Sequence, residues 1–182
     1  EGGVRVPFVM RWPGRIEAGH VDRRPVSSLD IVPTAAALAG ATLPADRIYD
    51  GVDLTPFVTG RDPGVPNPTL FWRAGVNFAI RDGQWKLLLM NKAPPKADGE
   101  AEGLPPIMPD GVQARIGPEG QHTMLYDLSS DAAEMRNVAH EHPQVTAQLR
   151  AKLDDWNRML KDPAWTSRRW LTFTWDNQNL QQ

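Results

Sequence analysis

The spacing of apolar residues changes character along this chain, and each change predicts a different element. Residues 4 to 12, Val-Arg-Val-Pro-Phe-Val-Met-Arg-Trp, are apolar on both faces apart from Arg5 and Arg11. That pattern predicts a largely buried strand. It follows the Gly2-Gly3 pair, which gives the backbone access to positive φ, and it closes on the turn Trp12-Pro13-Gly14. Ser28 or Asp30 can cap a helix running to about Ala39, with Pro33 tolerable only in its first turn and Gly40 as its stop. A shorter helix fits Pro56 to Thr59, capped by Thr55 and ended by Gly60. A strand feeding a helix predicts an α/β layer, which usually carries helices on both faces of its sheet.

After Pro68 the period shortens. Thr69 to Arg73 reads as a strand, and Asn77 to Arg81 with Gln84 to Met90 reads as a hairpin linked by Asp82-Gly83 in a type I′ turn. Thr123 to Leu128 supplies a further strand, and the short connections predict a small antiparallel sheet. Residues 91 to 121 hold two Pro-Pro pairs, several glycines and scattered charge with no period, which reads as a long loop. Asp131 and Glu134 have the spacing of a capping-box-like turn. His142-Pro143 then opens the best helix of the chain, to about Leu160. Its apolar stripe is Val145, Leu149, Leu153, Trp156 and Leu160, at steps of four, four, three and four. Asp154 and Arg158 are spaced as an i,i+4 ion pair, and Asp162-Pro163 stops the helix.

Bulk properties narrow the function classes. The 182 residues suffice for one real core, in which roughly 70% of the unfolded surface is buried. A formal charge of −2 argues against a nucleic-acid binder held by bulk charge. No apolar run approaches the ~18 residues of a membrane span. There is no cysteine, which excludes disulfides, thiolate metal sites and a Cys nucleophile within the chain. Seventeen prolines and fifteen glycines imply many turns.

Several blocks carry a family resemblance. They are Glu1-Gly2-Gly3-Val4-Arg5-Val6-Pro7 through Trp12-Pro13-Gly14, then Ser27-Ser28-Leu29-Asp30-Ile31-Val32-Pro33-Thr34, then Asp50-Gly51-Val52-Asp53-Leu54-Thr55-Pro56 to Gly60. Ala79-Ile80-Arg81-Asp82-Gly83-Gln84-Trp85-Lys86-Leu87 and Leu125-Tyr126-Asp127-Leu128 follow, the last trailed by Asp131, Glu134 and Asn137. Their order from residue 1 to about residue 160 resembles the C-terminal part of a sulfatase, in the alkaline-phosphatase-like superfamily. Residues 91 to 121 and 163 to 182 match nothing in that pattern.

The resemblance implies a parent enzyme that hydrolyses aryl or carbohydrate sulfate esters. Such an enzyme uses a formylglycine nucleophile made from Cys or Ser in a motif ending Pro-Ser-Arg. It also uses a divalent cation, usually calcium, held by Asp and Asn, and Lys and His side chains around the sulfate. Negative charge builds on the ester oxygens and the leaving group, so cation and donors must be placed in advance. This chain has no Pro-Ser-Arg. The nearest string, Trp165-Thr166-Ser167-Arg168-Arg169, lacks the proline. The expectation is therefore a piece of a longer protein, inert alone, whose nucleophile, calcium site and sulfate-contacting Lys lie upstream of Glu1, with no cofactor of its own. In the family, Glu-Gly-Gly-x-Arg closely follows that Lys, which implies that Glu1 and Arg5 sit near the pocket. The bland reading of Arg5 is a strand-end residue paired with a buried carboxylate.

Other candidates read as structural. No two of His20, His122, His140 and His142 fall at i,i+4 on a helix, so all four read as surface residues. Asp30 and Asp53 suit helix N-termini and Asp50-Gly51 suits a turn, while Trp72, Trp85 and Trp156 suit core packing. In the tail, Trp165, Trp170, Phe173 and Trp175 cluster beside Arg168 and Arg169. An extra edge strand or packing under the long loop is the plain reading. The functional one brings Arg168 and Trp170 to the pocket mouth, where an aromatic face stacks on a sugar or aryl group.

The expected fold class is α/β: the C-terminal end of a mixed, mainly parallel sheet domain over 1–66, a small antiparallel sheet with a long helix over 67–162, and an aromatic tail over 163–182. The expected partners are a sulfated small molecule or carbohydrate and the missing N-terminal part, with no nucleic acid and no membrane span. Two rivals stand beside the sulfatase: a phosphate- or phosphonate-ester hydrolase of the same superfamily, and a non-catalytic binding or scaffold module. Export to the periplasm or outside fits the parent protein that the resemblance implies.

Overall fold

The computed structural model describes residues 1–74, 77–91 and 121–161. It divides into two compact units: Gly2–Leu70, and Glu1 together with the chain from Phe71 onward. The long segment read as a loop lies outside the described residues from 92 to 120. The same holds for Asp162-Pro163 and the whole tail, with Arg168 and Trp170.

In the first unit a 3-10 turn over Ser28–Asp30 runs into helix α1, Ile31–Leu38, and a one-turn helix α2 spans Thr55–Val58. Pro33 sits in the first turn of α1, where its missing N–H costs nothing, and Gly40 past its end has φ +64. Asp30 stands at the N-cap position of α1 as expected, though its side chain makes no capping bond to that helix, and the side-chain caps lie just upstream. Ser27, not Ser28, caps the 3-10 turn: its Oγ accepts from Leu29 N–H at 3.3 Å, and Asp30 Oδ2 accepts from Ser27 N–H at 2.7 Å. Asp53 rather than Thr55 caps α2, its Oδ1 accepting from Thr55 N–H at 2.8 Å.

The core of this unit mixes apolar and polar side chains: Leu54 and Pro33 are buried together with Asp30, Thr34 and Asn67. Asp30 is fully buried, and its Oδ1 also accepts from Val52 N–H at 2.9 Å while Oδ2 accepts from Asn67 Nδ2 at 2.8 Å. Leu54 N–H donates to Thr34 Oγ1 at 2.9 Å beside it. Gly51 is required here, since a Cβ would lie 2.1 Å from the Leu29 carbonyl oxygen. Arg24 ties the loops together, donating to the carbonyls of Phe57 at 3.0 Å, Asp62 at 3.1 Å and Gly64 at 2.9 Å.

Residues 5 to 12 form no strand, which corrects the strongest local expectation for this region. No sheet partner for them exists among the described residues, and Val6 and Val9 stand 67% and 88% exposed. An apolar run becomes a strand only where a neighbour takes up its backbone groups. The Trp12-Pro13-Gly14 turn does form, with Arg15 N–H donating to the Trp12 carbonyl at 3.1 Å and Gly14 at φ +78.

The second unit carries the sheet. Strands β1 (Thr69–Ala74), β2 (Asn77–Asp82), β3 (Trp85–Asn91) and β4 (Gln121–Asp127) lie side by side in that order. β2–β3 and β3–β4 pair antiparallel. Asp82 pairs with Trp85, so the hairpin link is Gly83-Gln84 rather than Asp82-Gly83. Gly83 has φ +58 and Gln84 does not share its sign, so the turn has positive φ at its first central residue alone. That is the requirement of type II′, not of the expected type I′.

Helix α3, Pro143–Met159, packs on one face of this sheet. Phe78, Ile80, Leu87, Leu89 and Leu125 from the strands meet Val138, Leu149 and Leu153 in one buried cluster, with Val145 and Trp156 packed against it. The predicted stripe therefore holds as far as Trp156, which stacks on Phe71 with ring centres 5.0 Å apart. Leu160 lies beyond the helix and is exposed, so the last step of the stripe fails. Arg158 forms its ion pair with Asp155 rather than Asp154, at i,i+3.

Candidate functional site

Alternation along β3 puts Trp85, Leu87 and Leu89 on the helix side, so Lys86 faces the other way. Its Cα partner across the ladder is Tyr126 of β4. That second face is buried as well: Ala79, Lys86, Met124 and Tyr126 all have less than a tenth of their surface exposed. A lysine there needs an anion, because an unpaired buried ammonium is costly.

Two carboxylates supply it. Lys86 Nζ lies 3.0 Å from Glu1 Oε1 and 2.6 Å from Glu134 Oε1, with the side chains of Lys86 and Glu1 only 5% and 7% exposed. The other oxygen of Glu134 pairs with the backbone amine of Glu1. The Trp72 ring centre is 6.0 Å from Lys86 Nζ. Glu1 is therefore held through its carboxylate by Lys86.

The turn that presents Glu134 is built by Asp131, whose Oδ1 and Oδ2 accept from Met135 N–H at 3.1 Å and Arg136 N–H at 2.9 Å. Those two amides hold the Asp131 carboxyl below its usual range. A turn forms around Asp131, but it is not the expected capping box, since Asp131 bonds Met135 and Arg136 rather than Glu134. Glu134, however, does not turn back to it: it has φ +57 and sends its carboxylate to Lys86 and Glu1 instead. Asn137 fastens the same segment to β4, its Oδ1 accepting from Leu125 N–H at 3.0 Å and its Nδ2 donating to the Thr123 carbonyl at 3.3 Å.

The electrostatics fit a holding device. Burial alone would depress Lys86, but its bonds to Glu134 and Glu1 outweigh that and raise its pKa. Burial works against ionised Glu134 too, and Lys86 with the Glu1 amine reverses it, so that carboxyl lies below its ordinary value. Burial pushes the Tyr126 hydroxyl up, helped by the Glu134 and Asp131 charges, and its Oη donates to Met124 Sδ at 3.3 Å. A lysine that acts as nucleophile needs a depressed pKa. Lys86 has the opposite, which argues against a nucleophilic role.

Of the candidate site residues, Glu1 is in this cluster and Arg5 is not. Arg5 is exposed and makes no ion pair among the described residues. Arg168 and Trp170 lie outside the described residues. His20, His122 and His140 are exposed, while His142 tilts against Trp85 with ring centres 4.9 Å apart. Among the described residues no three His, Cys, Asp or Glu side chains gather as metal ligands do, and no helix is long and apolar enough to cross a membrane. Lys86 and Glu134 went unnoticed as site residues. The signal for Lys86 was a charge inside Trp85-Lys86-Leu87-Leu88-Leu89-Met90, a strand apolar on both faces, while Glu134 was read only as part of a turn.

Comparison with known proteins agrees with the order of the sequence blocks. Residues 1–41 match the family model described as Sulfatase. The chain is 35% identical to mouse steryl-sulfatase over 163 residues, covering 85% of this chain and 25% of that protein. It is 36% identical to bovine arylsulfatase A over 157 residues, covering 81% of this chain and 29% of that protein. The solved structure of Ps i-CgsB shares the fold, with a TM-score of 0.59 over 85% of this chain and 29% of that one, at 23% identity. The chain thus spans little more than a quarter of the length of these relatives, and it belongs to the sulfatase family.

Proposed function

We propose that this chain is the C-terminal part of a sulfatase that hydrolyses aryl or carbohydrate sulfate esters, and that it is inert alone. The observation that carries the reading is the alignment with mouse steryl-sulfatase, which takes in 85% of this chain but only 25% of that protein. The chain's own residues do not fit the family's reactive groups. There is no cysteine and no Pro-Ser-Arg from which a formylglycine could be made, and no cluster of carboxylates among the described residues suits calcium. Nucleophile, calcium and sulfate-binding lysine are assigned to the part upstream of Glu1. What this chain brings is the wall of the site, residues 1–66, and the small sheet-and-helix region over 67–162. The exposed apolar side chains of Val6, Phe8 and Val9 support a parallel sheet completed by the upstream part, since an unpaired apolar edge invites association.

The test is turnover of a chromogenic aryl sulfate and a sulfated sugar by the complete gene product and by the 182-residue chain. The complete protein, matured with formylglycine, is expected to hydrolyse at least one of them with calcium present, and the chain neither. Activity of the chain alone after rigorous purification would overturn inertness. An inactive complete protein that carries formylglycine would overturn the sulfatase reading.

A further inference from the structure

Helix α1 has the composition of an interior helix and the exposure of a surface one. Its sequence, Ile31-Val32-Pro33-Thr34-Ala35-Ala36-Ala37-Leu38, carries no charge, and Thr34 is its single polar residue. A helix that is apolar all round belongs in an interior. Yet only Pro33 and Thr34 are buried, while Leu29, Ile31, Val32 and Leu38 each keep more than half of their surface in solvent. Helix α3 shows how the same chain treats a solvated helix: its apolar stripe meets the sheet, and Lys152 and Arg158 face water. At about 100° per residue, Leu38, Ile31, Ala35, Ala39 and Val32 fall within one arc of about 120°, turned from Pro33. Ala35 lies at its centre with larger side chains on either side, a shape that lets a partner's backbone approach to about 8 Å between axes.

Three occupants could cover such a face, and two fit poorly. A helix lying on a lipid surface carries Lys and Arg along a polar face, and α1 has no polar face. A second copy would need far more area: the eight residues of α1 are about 12 Å long, whereas a stable dimer buries about 1,200–2,000 Å². The third occupant is already tethered. This chain spans 25% of mouse steryl-sulfatase and 29% of bovine arylsulfatase A, so most of the length of those relatives lies outside it. A segment of the same polypeptide docks at high effective concentration, and a small apolar face is then enough. We infer that Leu29, Ile31, Val32, Ala35 and Leu38 form a docking surface that an apolar part of the rest of the same polypeptide covers in the complete protein. The inference rests on the reading of this chain as part of a longer sulfatase.

The test is solvent access in the complete protein. This chain has no cysteine, so Ala35→Cys and Leu38→Cys each place one thiol in it, read by maleimide labelling and peptide mass spectrometry. Both thiols are expected to react about a hundredfold or more slowly in the native protein than in urea, because labelling then needs a local opening. Native rates within about tenfold of the unfolded ones would overturn the inference. So would protection that disappears when the protein is diluted to a monomer, since a second copy would then be the cover. Hydroxyl-radical footprinting of the wild-type complete protein repeats the measurement without any substitution. Ile31 and Leu38 should be modified far less than in the unfolded protein, and equal modification would count against the docking surface. Neither readout uses activity. If the complete protein hydrolyses no sulfate ester, the sulfatase reading falls, and the labelling still decides whether α1 is covered.

Discussion

The two units of this chain reach their folds by different means. The one from Phe71 onward buries eight apolar side chains between β2–β4, the Val138 segment and α3. The one over Gly2–Leu70 buries Leu54 but centres its contacts on hydrogen bonds of Asp30, Thr34 and Asn67, and leaves Val6, Val9 and Ile48 largely in solvent. Apolar burial is proportional to area and tolerant of detail, whereas a buried carboxylate is an asset only while each of its oxygens has a donor. The first kind of core is legible from periodicity. The second depends on individual hydrogen bonds and fails one contact at a time.

The largest test of this contrast removes one side chain from the apolar core. Leu153 is fully buried, and Leu153→Ala is expected to cost about 3–4 kcal/mol, with the cavity adding to the lost transfer energy. Urea unfolding followed through tryptophan fluorescence would read it. A loss below about 1 kcal/mol would mean that the helix is not docked as described. On the polar side, Asp30→Ala strands the N–H groups of Ser27 and Val52 and the Asn67 amide. It is expected to cost about 2–3 kcal/mol, while an apolar neighbour such as Val52→Ala should cost less.

A tighter probe of the same hub is Gly51→Ala, whose Cβ would meet the Leu29 carbonyl oxygen at 2.1 Å. About 1–2 kcal/mol is expected for the forced backbone shift, seen as a lower urea midpoint and as amide shift changes centred on Leu29 and Asp30. If those amides do not move, the close approach is not real.

The smallest effect is a pH dependence. The Arg24 guanidinium, bonded to Asp22 at 2.6 Å and 3.0 Å, lowers that carboxyl to about 2. A depressed folded pKa adds stability above the unfolded value, near 3.8, and that stability is lost as pH falls toward about 2. Carbon-13 titration of the Asp22 carboxyl should place its midpoint near 2. A midpoint close to 3.8 would dissolve the Arg24 bridge that ties Asp22 to the Phe57 and Gly64 carbonyls.

What was legible in the sequence follows the same divide. The hairpin and α3 stood out because their periods of two and of 3.6 are local, and each element packs on a neighbour within the described residues. The turn type was misjudged because Asp82-Gly83-Gln84 allows two registers, and only the Asp82–Trp85 pairing selects one. Residues 4 to 12 carry a strand's composition, but a strand is a relation between two segments, and no second segment pairs with them among the described residues. The Lys86 cluster joins positions 85 and 133 residues apart, for which no local pattern exists. Asp30 was recognised as a helix-start residue, and its reach to Val52 and Asn67 was not, for the same reason.

Glu134 has a consequence for anyone engineering this chain. Judged by backbone alone, its positive φ marks it as the first position to replace with glycine or asparagine, a routine stabilising exchange. Such a change would relieve the left-handed backbone and delete the carboxylate that meets Lys86 and residue 1. Thermal screening would then reward the variant for the easier backbone, while the orphaned ammonium of Lys86 worked in the opposite direction. A melting temperature that barely moved would hide two opposed changes, and a library ranked on heat resistance alone would drift away from the grip on Glu1 without registering its loss.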